Sequence, residues 1–142
     1  MNLHKIILDT GPLVAYINKN DRYHDWIMAQ FATMKPPLFT CEAVLSESCF
    51  LLRNYSNGTS SVLDLLKREL FTISFRLKDE CSIVKALLNK YKNVPMSLTD
   101  GCLVRMAEQI SDSVIFTLDS DFKIYRKNRR NVIPTIMPDS LS

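Results

Sequence analysis

The feature that most constrains this chain is a rhythm. Short, wholly apolar runs alternate with longer segments whose apolar residues recur every three or four positions. Runs such as Ile6-Ile7-Leu8 and Val114-Ile115-Phe116 are short, β-branched or aromatic, and uninterrupted by polar residues. They read as strands covered on both faces, and the amphipathic segments between them read as helices. Strand–helix alternation of this kind predicts an α/β fold with a mostly parallel sheet flanked by helices. Strands are expected at 4–8, 37–40, 70–75, 113–118 and 131–136. Helices are expected at 12–18, 22–34, 41–53, 59–69, 78–92 and 98–110, with a short one near 120–126. No repeat, low-complexity tract or linker divides the chain, so residues 1–142 are expected to form one domain.

Several boundaries have their own chemistry. Pro36 and Pro37 stop the second helix and lead into Leu38-Phe39-Thr40. Asn57-Gly58 marks a turn, after which Thr59 or Ser60 can cap a helix. Pro95 ends the helix at 78–92, and Ser97 then precedes Asp100 by three residues, the acidic form of a capping box.

Composition excludes several classes. With 46% hydrophobic and 23% charged residues, the chain can fill a core, which argues against disorder. No stretch approaches the roughly 18 apolar residues of a membrane helix. The N-terminal apolar run ends at Leu8 and is followed at once by a carboxylate, a poor signal peptide, so a cytoplasmic protein without membrane association is expected. Cys41, Cys49, Cys81 and Cys102 form no CxxC pair, and His4 and His24 complete no zinc spacing. Cys41 and Cys49 on one helix would stand about 12 Å apart along its axis, too far for a disulfide. All four are therefore expected to be buried, reduced thiols.

The net charge of +3 is unevenly placed. Lys123, Arg126, Lys127, Arg129 and Arg130 carry five positive charges within eight residues, and without them the chain is at −2. With Tyr125 among them, this run suits a polyanion and a stacked base, though a solvated charged face is an equally good reading of it.

Four acids stand where acids are unexpected. Asp9 and Asp119 each follow an apolar run directly, at the C-terminal end of an expected parallel strand, the end beyond which open α/β sheets bind ligands. Either alone could equally be a turn or N-cap residue. On a 41–53 helix, Glu47 would share a face with Ala43, Val44, Phe50 and Leu51. A glutamate in such a stripe must be paired, metal-bound or shifted in pKa. Asp100 extends the stripe Leu103, Val104, Ala107 and Ile110 while also completing its capping box. Carboxylates gathered in one pocket repel one another unless a cation lies among them. With oxygen donors and no suitable histidine, the hard ions Mg²⁺ or Mn²⁺ fit best, and with them metal-assisted attack on a phosphodiester.

Leu8-Asp9-Thr10-Gly11, Ala43-Val44-Leu45-Ser46-Glu47, Leu98-Thr99-Asp100-Gly101 and Thr117-Leu118-Asp119-Ser120-Asp121-Phe122 together resemble, in order and spacing, the four signature segments of PIN domains. The resemblance spans nearly the whole chain and is most like VapC-type toxins. It implies an endoribonuclease with an RNA substrate, a homodimer, and inhibition by a small antitoxin. It further implies Asp9, Asp100 and Asp119 as metal ligands, directly or through water, with Glu47 completing the catalytic set. Thr10, Thr99 and Thr117 would be supporting hydrogen-bond donors, and Asp121 a helix-start residue that could also assist Asp119. Gly101 departs from the small helix-favouring residue usual there. A PIN-type ribonuclease of RNA processing or decay, without an antitoxin, shares every one of these signatures, and a PIN-fold module that binds without cutting would have no reason to keep four acids.

Overall fold

The computed structural model describes residues 4–141, so residues 1–3 and 142 of the expected domain lie outside the described residues. Strand β1 (Lys5–Leu8) runs into Asp9, and α1 (Thr10–Ile17) begins at the next residue. There follow α2 (His24–Phe31), β2 (Leu38–Thr40), α3 (Glu42–Leu51), α4 (Gly58–Lys67), β3 (Phe71–Ile73), α5 (Leu77–Lys90), α6 (Leu98–Gln109) and β4 (Ser113–Phe116). A 3-10 turn at Ser120–Lys123 leads to three short strands, β5 (Arg126–Lys127), β6 (Asn131–Val132) and β7 (Thr135–Ile136).

Five strands form one parallel sheet in the order β3-β2-β1-β4-β7. From β1 the chain builds outward through β2 and β3, then crosses back to place β4 on the other side of β1. The gap between the C-terminal ends of β1 and β4 is therefore the topological switch point, where such sheets accommodate ligands. Ile7, Leu8, Ile115 and Phe116 are fully buried although neighbours along a strand point to opposite faces, so the sheet is covered on both sides. Phe116 faces α2, with ring contacts to Trp26 at 6.0 Å and Phe31 at 5.3 Å.

The expected strand at 131–136 is in fact two. Pro134 has no N–H to donate and interrupts it; its carbonyl instead accepts from the Ile115 amide. β6 turns back to pair antiparallel with β5, while β7 joins the main sheet beside β4. The expected short helix near 120–126 ends at Lys123, and Arg126 belongs to a strand. The Arg126 amide donates to the Tyr91 hydroxyl, which takes it out of any helical ladder. The second helix is shorter than its apolar pattern, His24–Phe31 against 22–34.

Helix α4 begins at Gly58, with Asn57 in the capping position at φ 58° and no side-chain cap, so neither Thr59 nor Ser60 serves as expected. A Cβ on Gly58 would lie 2.4 Å from the Leu52 carbonyl oxygen. The α3–α4 corner can close only over a glycine. The cysteines also depart from expectation. Cys41 and Cys102 are buried, Cys49 is half-buried, and Cys81 lies exposed on the solvent side of α5; all four are free thiols.

Candidate active site

Asp9 is the centre of the arrangement. Its backbone N–H donates to the Phe116 carbonyl at 3.0 Å, which seats it at the switch point between β1 and β4. The side chain caps α1 by accepting from the Thr10 amide at 2.7 Å, and its other oxygen accepts from the Thr117 hydroxyl at 2.6 Å. Asp9 is buried, with 6% of its surface exposed. Desolvation pushes its carboxyl pKa up to about 7, the two hydrogen bonds oppose this, and the charges of Asp100 and Asp119 add to it.

Glu47 reaches the same place by a route other than the one its sequence suggested. The buried face of α3 carries Val44 and Ser48 and continues to Cys41 and Leu52 at either end. Glu47 lies one position out of phase with this face, together with Phe50 and Leu51, which are 62% and 57% exposed. Of the stripe expected around Glu47, Val44 is buried and Ala43 half-buried, but Glu47 itself is exposed with Phe50 and Leu51, so burial does not force a partner on it. Two threonine hydroxyls hold it nonetheless. Thr10 donates to Oε1 at 3.1 Å and Thr99 to Oε2 at 2.6 Å. The polar residue within the core face is Ser48, whose buried hydroxyl has no hydrogen-bond partner among the described residues.

Asp100 fulfils both of its expected roles. It closes the capping box with Ser97, the Asp100 amide donating to Ser97 Oγ at 3.0 Å and the Ser97 amide donating to Asp100 Oδ2 at 3.2 Å. It is also buried, on a helix whose residues from Thr99 to Val104 are all buried. Its carboxyl pKa is raised, first by desolvation and then by the charge of Asp119, against the lowering effect of the Ser97 amide. Asp119 is half-buried and caps the 3-10 turn, accepting from the Asp121 amide at 2.9 Å; its own amide donates to Thr117 Oγ1 at 2.9 Å. Asp121 sits in the first turn as expected, and burial followed by the neighbouring Asp119 charge raises its pKa.

Thr117 thus joins the two strand ends, donating to Asp9 and accepting from Asp119. Together with Thr10 and Thr99 it places three hydroxyls on the carboxylates, as expected of supporting donors. The residue that sequence reasoning misplaced is Tyr125. Expected as an exposed stacking platform, it is fully buried, edge-on to Tyr91 and Phe122, and its hydroxyl donates to Asp100 Oδ2 at 3.2 Å. The signal was present in its spacing: Phe122 and Tyr125, three apart across a turn, share an inward face.

The donor set consists of carboxylate oxygens alone, which suits a hard divalent cation. Among the described residues, no three acidic, thiol or imidazole side chains are drawn together as a ready-made cage. Desolvation is the main cause of the raised Asp9 and Asp100 carboxyls, and the neighbouring charges, Asp100 and Asp119 on Asp9 and Asp119 on Asp100, add to it. Mg²⁺ commonly takes one or two carboxylates and keeps several waters, so an open cluster fits it better than a closed cage would.

A parallel sheet whose switch point carries acids from β1, α3, α6 and the end of β4 defines an α/β domain with its candidate site beyond the strand ends. The chain belongs to the PIN domain family, whose family model matches residues 6–128. Among solved structures it is similar to Mycobacterium tuberculosis VapC20, described as a sarcin–ricin loop cleaving toxin, with a TM-score of 0.77 and 19% identity over 84% of this chain and 94% of that one. At that identity the likeness is one of fold. No curated protein matches the sequence. Among the described residues, no helix is long and apolar enough to cross a membrane.

Proposed function

We propose that this chain is a Mg²⁺- or Mn²⁺-dependent endoribonuclease, the toxin of a type II toxin–antitoxin pair. The observation that carries the reading is Asp9, a carboxylate buried at the switch point between Phe116 and Thr117, whose pKa desolvation pushes to about 7, with the charges of Asp100 and Asp119 adding to it. Such a group is costly to the fold and is relieved by a cation. Asp9, Asp100 and Asp119 would hold the ion, with Glu47 at the rim. When bound, the ion would lower the pKa of a water and stabilise charge developing on a phosphodiester. The protein's own part is positional. Thr117 fixes the Asp9 carboxylate against β4, the Ser97 amide and Tyr125 hydroxyl orient Asp100, and Thr10 and Thr99 hold the Glu47 carboxylate in place. A cytoplasmic homodimer restrained by a small antitoxin completes the reading, supported by the toxin role in the name of the structural neighbour.

The test is inducible expression of wild type and Asp9→Asn, with growth scored and RNA ends mapped, alongside purified protein with RNA and Mg²⁺. Growth arrest with new RNA ends, lost on Asp9→Asn and on EDTA addition, is expected. Cleavage without arrest would favour an RNA-processing enzyme with no antitoxin. Asp9→Asn cutting at the wild-type rate would refute the site.

A further inference from the structure

The cationic run near the C-terminus divides, in the folded chain, into two groups with different work. The Arg126 guanidinium donates to the carbonyls of Lys123, Ile124 and Tyr125, and the Lys123 ammonium donates to the Leu141 carbonyl. These two close off the 3-10 turn and the C-terminal segment. Lys127, Arg129 and Arg130 do no such work. Their side chains make no hydrogen bond or ion pair among the described residues, where the three ion pairs use only Arg76 and Arg105. Arg129 and Arg130 are exposed, and Lys127 is partly so.

These three cations sit on the β5–β6 hairpin, whose turn is strained and pinned. Asn128 and Arg129 both have left-handed backbone, at φ 50° and 76°. Glycine adopts this without cost and asparagine tolerates it, whereas a long side chain such as that of Arg129 is strained there. The turn is held by the Asn128 amide donating to Glu108 Oε2 at 2.7 Å and by Lys90 Nζ donating to the Arg129 carbonyl at 2.9 Å. A flexible, merely solvated loop has no need of either tether. The hairpin also starts at the acids, since Tyr125, the residue before β5, touches Asp100. From there it lies along α6 as far as Glu108, eight residues or about 12 Å beyond Asp100.

We propose that Lys127, Arg129 and Arg130 form a fixed rail for the phosphate backbone of single-stranded RNA, leading the strand to the acidic site. The partner follows from the chemistry: unpaired cations, two of them guanidiniums suited to phosphate, spaced along a rigid edge that ends at carboxylates. An anionic partner would be repelled by the acids themselves, so the rail supplies the attraction the site lacks. The identity of the polyanion rests on the nuclease reading; the placement of the binding surface does not.

Binding of a labelled single-stranded RNA is to be measured by anisotropy across about 50–200 mM salt, in EDTA, with Asp9→Asn protein so that nothing is cut. Losing three phosphate contacts is expected to flatten the log–log salt slope by about 2 and lower affinity at least tenfold in Lys127→Glu/Arg129→Glu/Arg130→Glu. A second variant guards against misfolding: Arg129→Gly with Arg130→Gln relieves the backbone strain, so its Tm is expected to hold or rise while RNA binding still weakens. Reversal of Lys67 and Arg68 at the end of α4 is expected to leave the slope unchanged. Hairpin variants that bind with wild-type affinity and slope would overturn the proposal. So would equal competition by polyglutamate at matched charge, which would reveal an acidic-protein surface. Hairpin-dependent binding by a wild-type chain that never cuts RNA would sink the nuclease reading and leave the rail standing.

Discussion

Thr99 donates a 2.6 Å hydrogen bond to Glu47 across 52 positions of sequence, tying the first turn of α6 to the middle of α3. Glu47 is exposed, so this bond and the longer one from Thr10 are what hold its carboxylate in place. Thr99→Val is expected to lower RNA cleavage about 10- to 100-fold with little change in Tm, as loss of a supporting donor does. Thr99→Ser, which keeps the hydroxyl, is expected to restore most of the rate. Equal rates for Val and Ser variants would show that Glu47 needs no such hold.

Asp9 makes the ion-free protein sensitive to pH in an unusual direction. Its folded pKa of about 7 exceeds the ordinary 3.8, so the folded state holds a proton that the unfolded state releases between those values. This contribution to stability is complete below about pH 4 and is lost as pH rises toward 7, a change on the order of a few kcal/mol. Asp9→Asn removes it. In EDTA, wild-type Tm is expected to fall more steeply than that of Asp9→Asn between pH 5 and 8; parallel profiles would contradict the buried, protonatable Asp9.

Cation binding is coupled to the same proton. Ions at 100 times the dissociation constant stabilise a fold by about 2.7 kcal/mol. Mg²⁺ or Mn²⁺ is therefore expected to raise Tm at pH 8, to do so weakly at pH 5.5 where Asp9 retains its proton, and to release protons on binding near pH 6.5. Asp9→Asn is expected to abolish the shift. A calorimetric titration in two buffers of different ionisation enthalpy checks the proton count, and a pH-independent affinity would exclude Asp9 as a ligand.

Tyr125→Phe keeps the ring against Tyr91 and Phe122 and deletes only the hydroxyl on Asp100. A buried bond to a carboxylate is worth roughly 1–3 kcal/mol, so urea unfolding is expected to show a loss in that range. Because the hydroxyl helps to lower the Asp100 pKa, its removal is expected to raise that carboxyl further and weaken Mn²⁺ binding. Unchanged Mn²⁺ affinity would make Tyr125 a packing residue alone.

Gly58→Ala tests the fold independently of the site. The new Cβ would meet the Leu52 carbonyl oxygen at 2.4 Å, and backbone cannot yield as a side chain can. A loss on the order of 1–3 kcal/mol is expected in urea melts. Gly101→Ala meets only side chains, Val84 at 3.2 Å and Leu88 at 3.4 Å, and is expected to cost less. The reverse ranking would place the strained contact elsewhere.

Much of this was legible in one dimension because it is local chemistry. An apolar run that ends in an acid, a serine three residues before an aspartate, and threonines beside carboxylates reveal strand ends, a capping box and hydroxyl donors without any knowledge of partners. The Glu47 stripe misled because α3 is buried along Cys41, Val44, Ser48 and Leu52, a line that takes Val44 from the stripe and leaves Glu47, Phe50 and Leu51 beside it, and only the packing of α3 on the rest of the domain selects between adjacent faces. The division of the basic run was invisible for a similar reason: carbonyls that accept from Arg126 and a carboxylate that accepts from Tyr125 exist as partners only once the chain has turned.

The sequence by itself determined that this chain alternates strands with helices, that Asp9, Asp100 and Asp119 stand at the ends or starts of those elements and that Glu47 lies within a helix, because propensity, capping and hydrophobic period act over a few residues. Tertiary structure alone decided that they come to the same end of the sheet. Placing β4 beside β1 brings Asp9 to Phe116 and Thr117, and that pairing depends on burying both faces of the sheet at once. Asp9 and Asp119 share that end because the sheet's order reverses at β1, and long-range burial sets that order.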